Sequence, residues 1–191
     1  MYIIASCQTG YEDVDFHFAT QAVLGGAVML RTQNITRLKK VNLPIIGLKK
    51  IYGGDVYITP TTVEIDAVYN EGAQYVAIDC TLKNNNAEYL TKYAHDKGLG
   101  VVADIMTVHD IRDFECDYIA TTFSPEPADA EFVKDVVSMG FDVIAEGGYT
   151  TIPEVKAAIT AGASFVCVGT WFENLVMHMV CNINESIVSN I

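Results

Sequence analysis

The chain has 191 residues, half of them hydrophobic, and a formal net charge of -12 at pH 7. Such acidity argues against nucleic acid as a partner, because phosphate backbones recruit basic stripes, and any anionic small molecule must be held by local positive groups. No apolar run approaches the roughly 20 residues that cross a bilayer, and the N-terminus lacks the basic and long apolar regions of a signal peptide, so no membrane partner and a cytoplasmic location are expected.

The first apolar run, Ile3-Ile4-Ala5-Ser6, reads as a strand, followed by a helix over residues 14–24 that stops at Gly25-Gly26. Ala27–Arg31 is a second strand, residues 35–41 leave room for a short helix, and Ile45–Lys50 is a third strand. Thr61-Thr62-Val63-Glu64 supplies an N-cap and an acidic partner for a helix ending near Gly72. Val76–Asp79, a helix over Ala87–Lys97, and Val101–Asp104 follow. Thr107–Glu115 places Val108, Ile111 and Phe114 at helical spacing and is expected to be helical. Tyr118–Thr122 is the sixth strand, Pro127–Met139 a helix with proline in its first turn, and Val143–Glu146 the seventh strand. Pro153–Ala161 repeats that grammar before the eighth strand, Phe165–Gly169. The last segment puts Trp171, Phe172, Leu175, Val176, Met179, Val180, Ile183 and Ile187 on one helical stripe, suited to closing the barrel wall or to a homodimer contact.

Continuous apolar runs are strands buried on both faces, as in a parallel sheet. Eight of them separated by helix-length spacers predict an α/β fold, a (β/α)8 TIM barrel, compact because about 250 residues are typical. No Pro/Gly-rich linker divides the chain, so residues 1–191 read as one domain. The five cysteines (Cys7, Cys80, Cys116, Cys167, Cys181) are scattered without a C-x-x-C pair, as expected of reduced thiols.

In this fold the carboxyl ends of the strands build the active site. Arg31, Lys50, Asp79, Asp104, Thr122 and Glu146 therefore converge on one mouth, with Ser6 and Gln8 from the first strand. A lysine beside carboxylates in a half-buried pocket is an acid/base pair whose pKa values can be tuned toward neutrality. The same groups could instead form salt bridges that fill the barrel top. Gly147-Gly148 and Gly169-Thr170 follow the last two strands, where backbone amides of this fold bind phosphate, so a phosphorylated small molecule is the expected ligand. The dispersed histidines His17, His95, His109 and His178 carry no metal-ligand spacing. Asp79 and Asp104 together offer oxygen ligands for Mg²⁺, an alternative ranked behind metal-free chemistry because of the nearby lysine.

Over most of its length the chain resembles the N-acetylmannosamine-6-phosphate 2-epimerases of bacterial sialic-acid catabolism. The resemblance is carried by Ser6-Cys7-Gln8, Gly25-Gly26-Ala27-Val28 through Arg31, and Leu43-Pro44-Ile45-Ile46-Gly47-Leu48 leading to Lys50. It continues through Val56-Tyr57-Ile58-Thr59-Pro60-Thr61, Ala77-Ile78-Asp79-Cys80-Thr81, Ala103-Asp104-Ile105, Thr121-Thr122, Ile144-Ala145-Glu146-Gly147 and Val168-Gly169. It implies a barrel of the ribulose-phosphate-binding type, a homodimer, an amino-sugar phosphate substrate and inversion at C2 with no cofactor. By position Lys50 would move the C2 proton with Glu146 as partner, while Gln8, Arg31 and Asp104 would orient the sugar. A gap placed inside the third strand would make Lys49 the catalytic lysine instead. Two departures stand out: Phe123-Ser124-Pro125-Glu126-Pro127 replaces a longer loop, and Glu173-Asn174-Leu175 stands where the family carries an arginine. Three readings follow: an epimerase, a sugar-phosphate sensor without turnover, and an isomerase or lyase using a Lys50 Schiff base.

Overall fold

In the computed structural model, which describes residues 2–122 and 129–169, eight parallel strands close on themselves in chain order. They are β1 (Ile3–Ser6), β2 (Met29–Thr32), β3 (Ile45–Gly47), β4 (Tyr75–Asp79), β5 (Gly100–Asp104), β6 (Tyr118–Ala120), β7 (Val143–Ala145) and β8 (Phe165–Val168). Between them run α1 (Glu12–Leu24), α2 (Ile35–Leu38), α3 (Thr62–Glu71), α4 (Ala87–Asp96), α5 (Ala130–Ser138) and α6 (Ile152–Thr160). Capping chemistry sets several of these starts. Thr61 with Glu64 and Thr151 with Glu154 form reciprocal capping boxes, and Asp129 caps α5 through the amides of Glu131 and Phe132.

The barrel interior is stacked in layers, as inward side chains from alternate strands of such a barrel are. Register places Ile4, Ile46, Val102 and Ile144 of the odd strands between two sets from the even strands. Below lie Met29, Tyr75, Tyr118 and Phe165, with Tyr118 edge-on to both neighbouring rings at centroid distances of 5.9 and 5.7 Å. Above lie Arg31, Ala77, Ala120 and Cys167. Three small residues in that upper set leave the space that the long Arg31 side chain fills, and Arg31 heads the fully buried side chains by volume. Outward-facing strand residues such as Ala5, Leu30, Ile78, Ala103 and Val166 form a second cluster against the helices.

Three expectations are corrected. Thr107–Glu115 is not a helix: only Val108–Asp110 turns, as one 3-10 turn, and Ile111 is extended. The cause is Asp110, whose carboxylate accepts the amides of Leu82, Met106 and Thr107 and ties the chain to the neighbouring loop. The third strand stops at Gly47 rather than Lys50. Residues 49–51 instead pair antiparallel with residues 57–59, through Thr59 N to Lys49 O (2.8 Å), Ile51 N to Tyr57 O (2.9 Å) and a bridge of Lys50 with Ile58. Finally, α5 opens at Ala130, not Pro127, because the Asp129 side chain caps it there. The stripe from Trp171 to Ile187, with Cys181, and the segment Phe123–Pro127 lie outside the described residues.

Candidate active site

Four of the sequence-nominated residues form a buried knot under the barrel mouth. Arg31 from β2 reaches across the barrel and grips Asp104 of β5 with both terminal nitrogens, at 3.1 and 2.6 Å. Its Nε lies 3.1 Å from Glu146 Oε1, but that N–H is not aligned on any acceptor among the described residues. Thr122 Oγ1 stands 2.8 Å from Asp104 Oδ1 and 3.3 Å from Glu146 Oε2. The main chain of Glu146 is fixed separately: its N–H donates to Thr121 Oγ1 (3.0 Å), whose hydroxyl donates back to Glu146 O (2.8 Å). The tandem threonines thus hold both the backbone and the side chain of Glu146.

Electrostatics follow from this packing. One guanidinium faces two carboxyl groups, Asp104 fully buried and Glu146 largely so, and burial pushes both carboxyls up while Arg31 opposes the rise. Burial lifts the Glu146 carboxyl to about 6, with Arg31 holding it down and Asp104 adding to the rise. Asp104, with two hydrogen bonds from Arg31, is the better-compensated anion.

Above the knot opens a cavity of about 220 Å³, lined by Ser6, Gln8, Lys50, Thr122, Glu146, Gly147, Gly148, Tyr149, Cys167 and Gly169. Lys50 supplies the cation among these residues. It projects from the hairpin that follows β3, close to the Tyr57 ring (6.0 Å to its centroid). Lys49 points elsewhere: its Nζ pairs with Glu71 Oε1 at 2.6 Å and donates to Gln33 O. Alternation along an extended chain separates the two lysines, so Lys50 alone of the pair lines the cavity. Gln8 donates to Ser6 Oγ (2.7 Å), and its buried Oε1 has no hydrogen-bond partner among the described residues.

Gly147 and Gly148 adopt left-handed conformations (φ 108° and 72°) that side chains other than glycine rarely accept, and they bring the turn after β7 against the cavity. Gly169 approaches the first strand so closely that a Cβ there would stand 3.0 Å from Ser6 Cβ. Thr170, nominated with them, and Glu173 lie outside the described residues.

The structure does not bring every nominated residue to the cavity. Arg31 and Asp104 lie beneath its floor, fully buried. Asp79 is also covered, and it ties loops together: its carboxylate accepts from Tyr57 N, Thr81 N and Thr81 Oγ1. With Asp104 held by Arg31 and Asp79 by Thr81 and Tyr57, the two aspartates do not converge on a cation. Among the described residues no group of three His, Cys, Asp or Glu side chains is arranged around a common point. Sequence reasoning missed Tyr149 and Cys167 as lining groups. Cys167 could have been found from its place at the top of β8, one residue before the strand's last, whereas Tyr149 follows the glycine pair with no comparable signal.

Comparison with known proteins agrees with this geometry. A family described as "Putative N-acetylmannosamine-6-phosphate epimerase" matches residues 16–188. Two relatives described as "Putative N-acetylmannosamine-6-phosphate 2-epimerase" are similar over nearly the whole chain. The one from Haemophilus influenzae is 31% identical across 91% of each chain. The one from Glaesserella parasuis is 32% identical, covering 96% of this chain and 91% of the relative. The solved N-acetylmannosamine-6-phosphate 2-epimerase from Clostridium perfringens superposes with a TM-score of 0.84 at 27% identity, covering 95% of this chain and 93% of that one. The chain belongs to the N-acetylmannosamine-6-phosphate epimerase family.

Proposed function

We propose that this protein interconverts N-acetylmannosamine 6-phosphate and N-acetylglucosamine 6-phosphate, with Lys50 and Glu146 moving the proton at C2. The observation that supports this most is their placement. Lys50 follows β3 and Glu146 follows β7, four strands apart in a ring of eight, and both line one cavity. Groups on opposite walls can address opposite faces of a carbon held between them, as inversion requires.

The chemistry needs an open-chain sugar, whose C1 carbonyl makes the C2 proton weakly acidic. Neutral Lys50 Nζ takes that proton, the bonding electrons pass through C2 to the C1 oxygen, and Glu146 in its acid form delivers a proton to the other face of C2. A carboxyl near pH 6 can serve both as donor and, once spent, as acceptor for the next cycle. Gln8 Oε1 is positioned to accept a hydrogen bond from the N-acetyl or hydroxyl groups. The amides of Gly147, Gly148 and Gly169 suit the phosphate at the mouth, in line with the anion sites of this fold. Arg31 and Asp104 act from below by fixing Glu146. The same reading places the enzyme in the cytoplasm, as the free thiols of Cys7, Cys80, Cys116 and Cys167 suggest. It also makes the enzyme a homodimer.

The test is proton NMR in deuterium oxide with N-acetylmannosamine 6-phosphate. The expected result is loss of the C2 proton signal with appearance of the other epimer, and a Lys50→Ala variant slower by about 10³-fold. Binding without exchange would mark a sensor. Covalent trapping of substrate by borohydride would mark a Schiff-base enzyme.

A further inference from the structure

Thr122 lies between two carboxyl groups with a single hydrogen to give. Its Oγ1 is 2.8 Å from Asp104 Oδ1 and 3.3 Å from Glu146 Oε2. A threonine hydroxyl donates once and accepts through its lone pairs. The shorter contact takes its hydrogen, since Asp104 is the ionised partner of Arg31 and charge-assisted bonds are the stronger ones. The remaining contact is then oxygen facing oxygen, which is attractive only if the hydrogen sits on Glu146.

We propose that Thr122 is a positioning residue that stores a proton on Glu146: its hydroxyl donates to Asp104 and accepts the acid hydrogen of a neutral Glu146. The groups facing Glu146 act in both senses: burial and Asp104 favour the neutral acid, while the Arg31 guanidinium and the Cys167 thiol favour the anion. Arg31 from β2 offers only a misaligned N–H to Oε1, as suits the carbonyl oxygen of an acid more than a full carboxylate. Asp104 from β5 supplies negative charge, which disfavours a second anion. Cys167 from β8 adds a weak thiol contact, and Lys50 stands across the cavity. Burial raises the Glu146 carboxyl toward neutrality in the same sense as Asp104. The proposal deepens the epimerase reading, for which the stored proton is the one returned to C2.

The test uses unliganded protein, so it stands whether or not the epimerase reading does. Infrared titration follows the carboxylic C=O band, assigned to Glu146 by its loss in Glu146→Gln. The wild type is expected to show the band. In Thr122→Val it should move to higher frequency, and its midpoint should fall by about half a pH unit or more, a threefold or greater loss of proton affinity. Thr122→Ser should restore both. With substrate, Thr122→Val should lower kcat while KM changes little. Three outcomes would overturn the proposal: no Glu146 band in the wild type, a band and midpoint unmoved in Thr122→Val, or a midpoint that rises, which would make Thr122 a donor to Glu146. Should the valine variant not fold, Thr122→Ala reads the same shift.

Discussion

The two ends of the barrel interior are built from the same eight strands and could hardly differ more. At the lower end Met29, Tyr75, Tyr118 and Phe165 close the barrel with ring against ring. At the upper end Arg31, Asp104, Thr122 and Glu146 fill the same cross-section with charge. Aromatic packing stabilises through area and dispersion, and burial raises the Tyr118 phenol further from neutrality, so it stays uncharged at neutral pH. A buried ion cluster gains little net stability over apolar packing, because desolvation offsets the attraction. The contrast therefore separates a part that keeps the barrel closed from a part that keeps a proton in place.

Three substitutions press on that separation. Asp104→Ala should have the largest effect: it leaves the buried Arg31 unpaired, costs about 4 kcal/mol in urea unfolding, and removes activity as Glu146 loses its setting. If stability hardly changes, the knot is not the fixed element described here. Tyr118→Ala at the other end should cost about 3 kcal/mol through the cavity it opens, yet leave kcat/KM of the folded enzyme within about twofold. A large loss of kcat/KM would mean the two ends are coupled.

Glu146→Gln should show the smallest effect, and the most informative. The acid form of Glu146 is favoured by the fold, with its pKa at about 6 against a usual value of 4.5. The native state thus holds more protons than the unfolded chain between those pH values, so stability falls as pH rises through that window. The variant lacks this loss. It should match the wild type near pH 4.5 and exceed it by roughly 2 kcal/mol at pH 8, read from urea midpoints, while losing turnover. Equal midpoints at both pH values would place the charge on Glu146 in a comfortable setting and remove the basis for a stored proton.

Much of this was legible in the chain. Alternating apolar runs and glycine-ended helices define the eight strands in order, because a strand buried on both faces has no room for polar residues until it ends. That same logic brought Arg31, Asp104, Thr122 and Glu146 to one end. It could not distinguish Lys49 from Lys50, since the direction of each depends on the hairpin pairing with residues 57–59 rather than on a continuing strand. Nor could it tell acids that face a ligand from acids that hold loops. Asp15 accepts from Thr9 and Asn34, Asp79 from Tyr57 and Thr81, and Asp110 from Leu82, Met106 and Thr107. For Asp110 the Thr107-to-Asp110 spacing was a signal, a capping box that also explains why the helical spacing of Ile111 and Phe114 misled. Asp79 offered no such cue, because a strand-end aspartate is the same letter in either role.

The hairpin that presents Lys50 has one further consequence. Its two arms are tied at Lys49–Ile51 and Tyr57–Thr59, and Ile58 O accepts from Asp79 N at the edge of β4. Thr59 holds an uncommon left-handed backbone (φ 49°), fully buried and bonded in both directions to Lys49. The tip from Tyr52 to Gly54, by contrast, is exposed and makes none of these ties. Insertions and deletions at such a tip cost little, since loop entropy changes slowly with length. Descendants of this chain can therefore lengthen, shorten or recolour the rim around the sugar while the ammonium group beneath it stays in register: a rim open to drift, set on an anchored hinge.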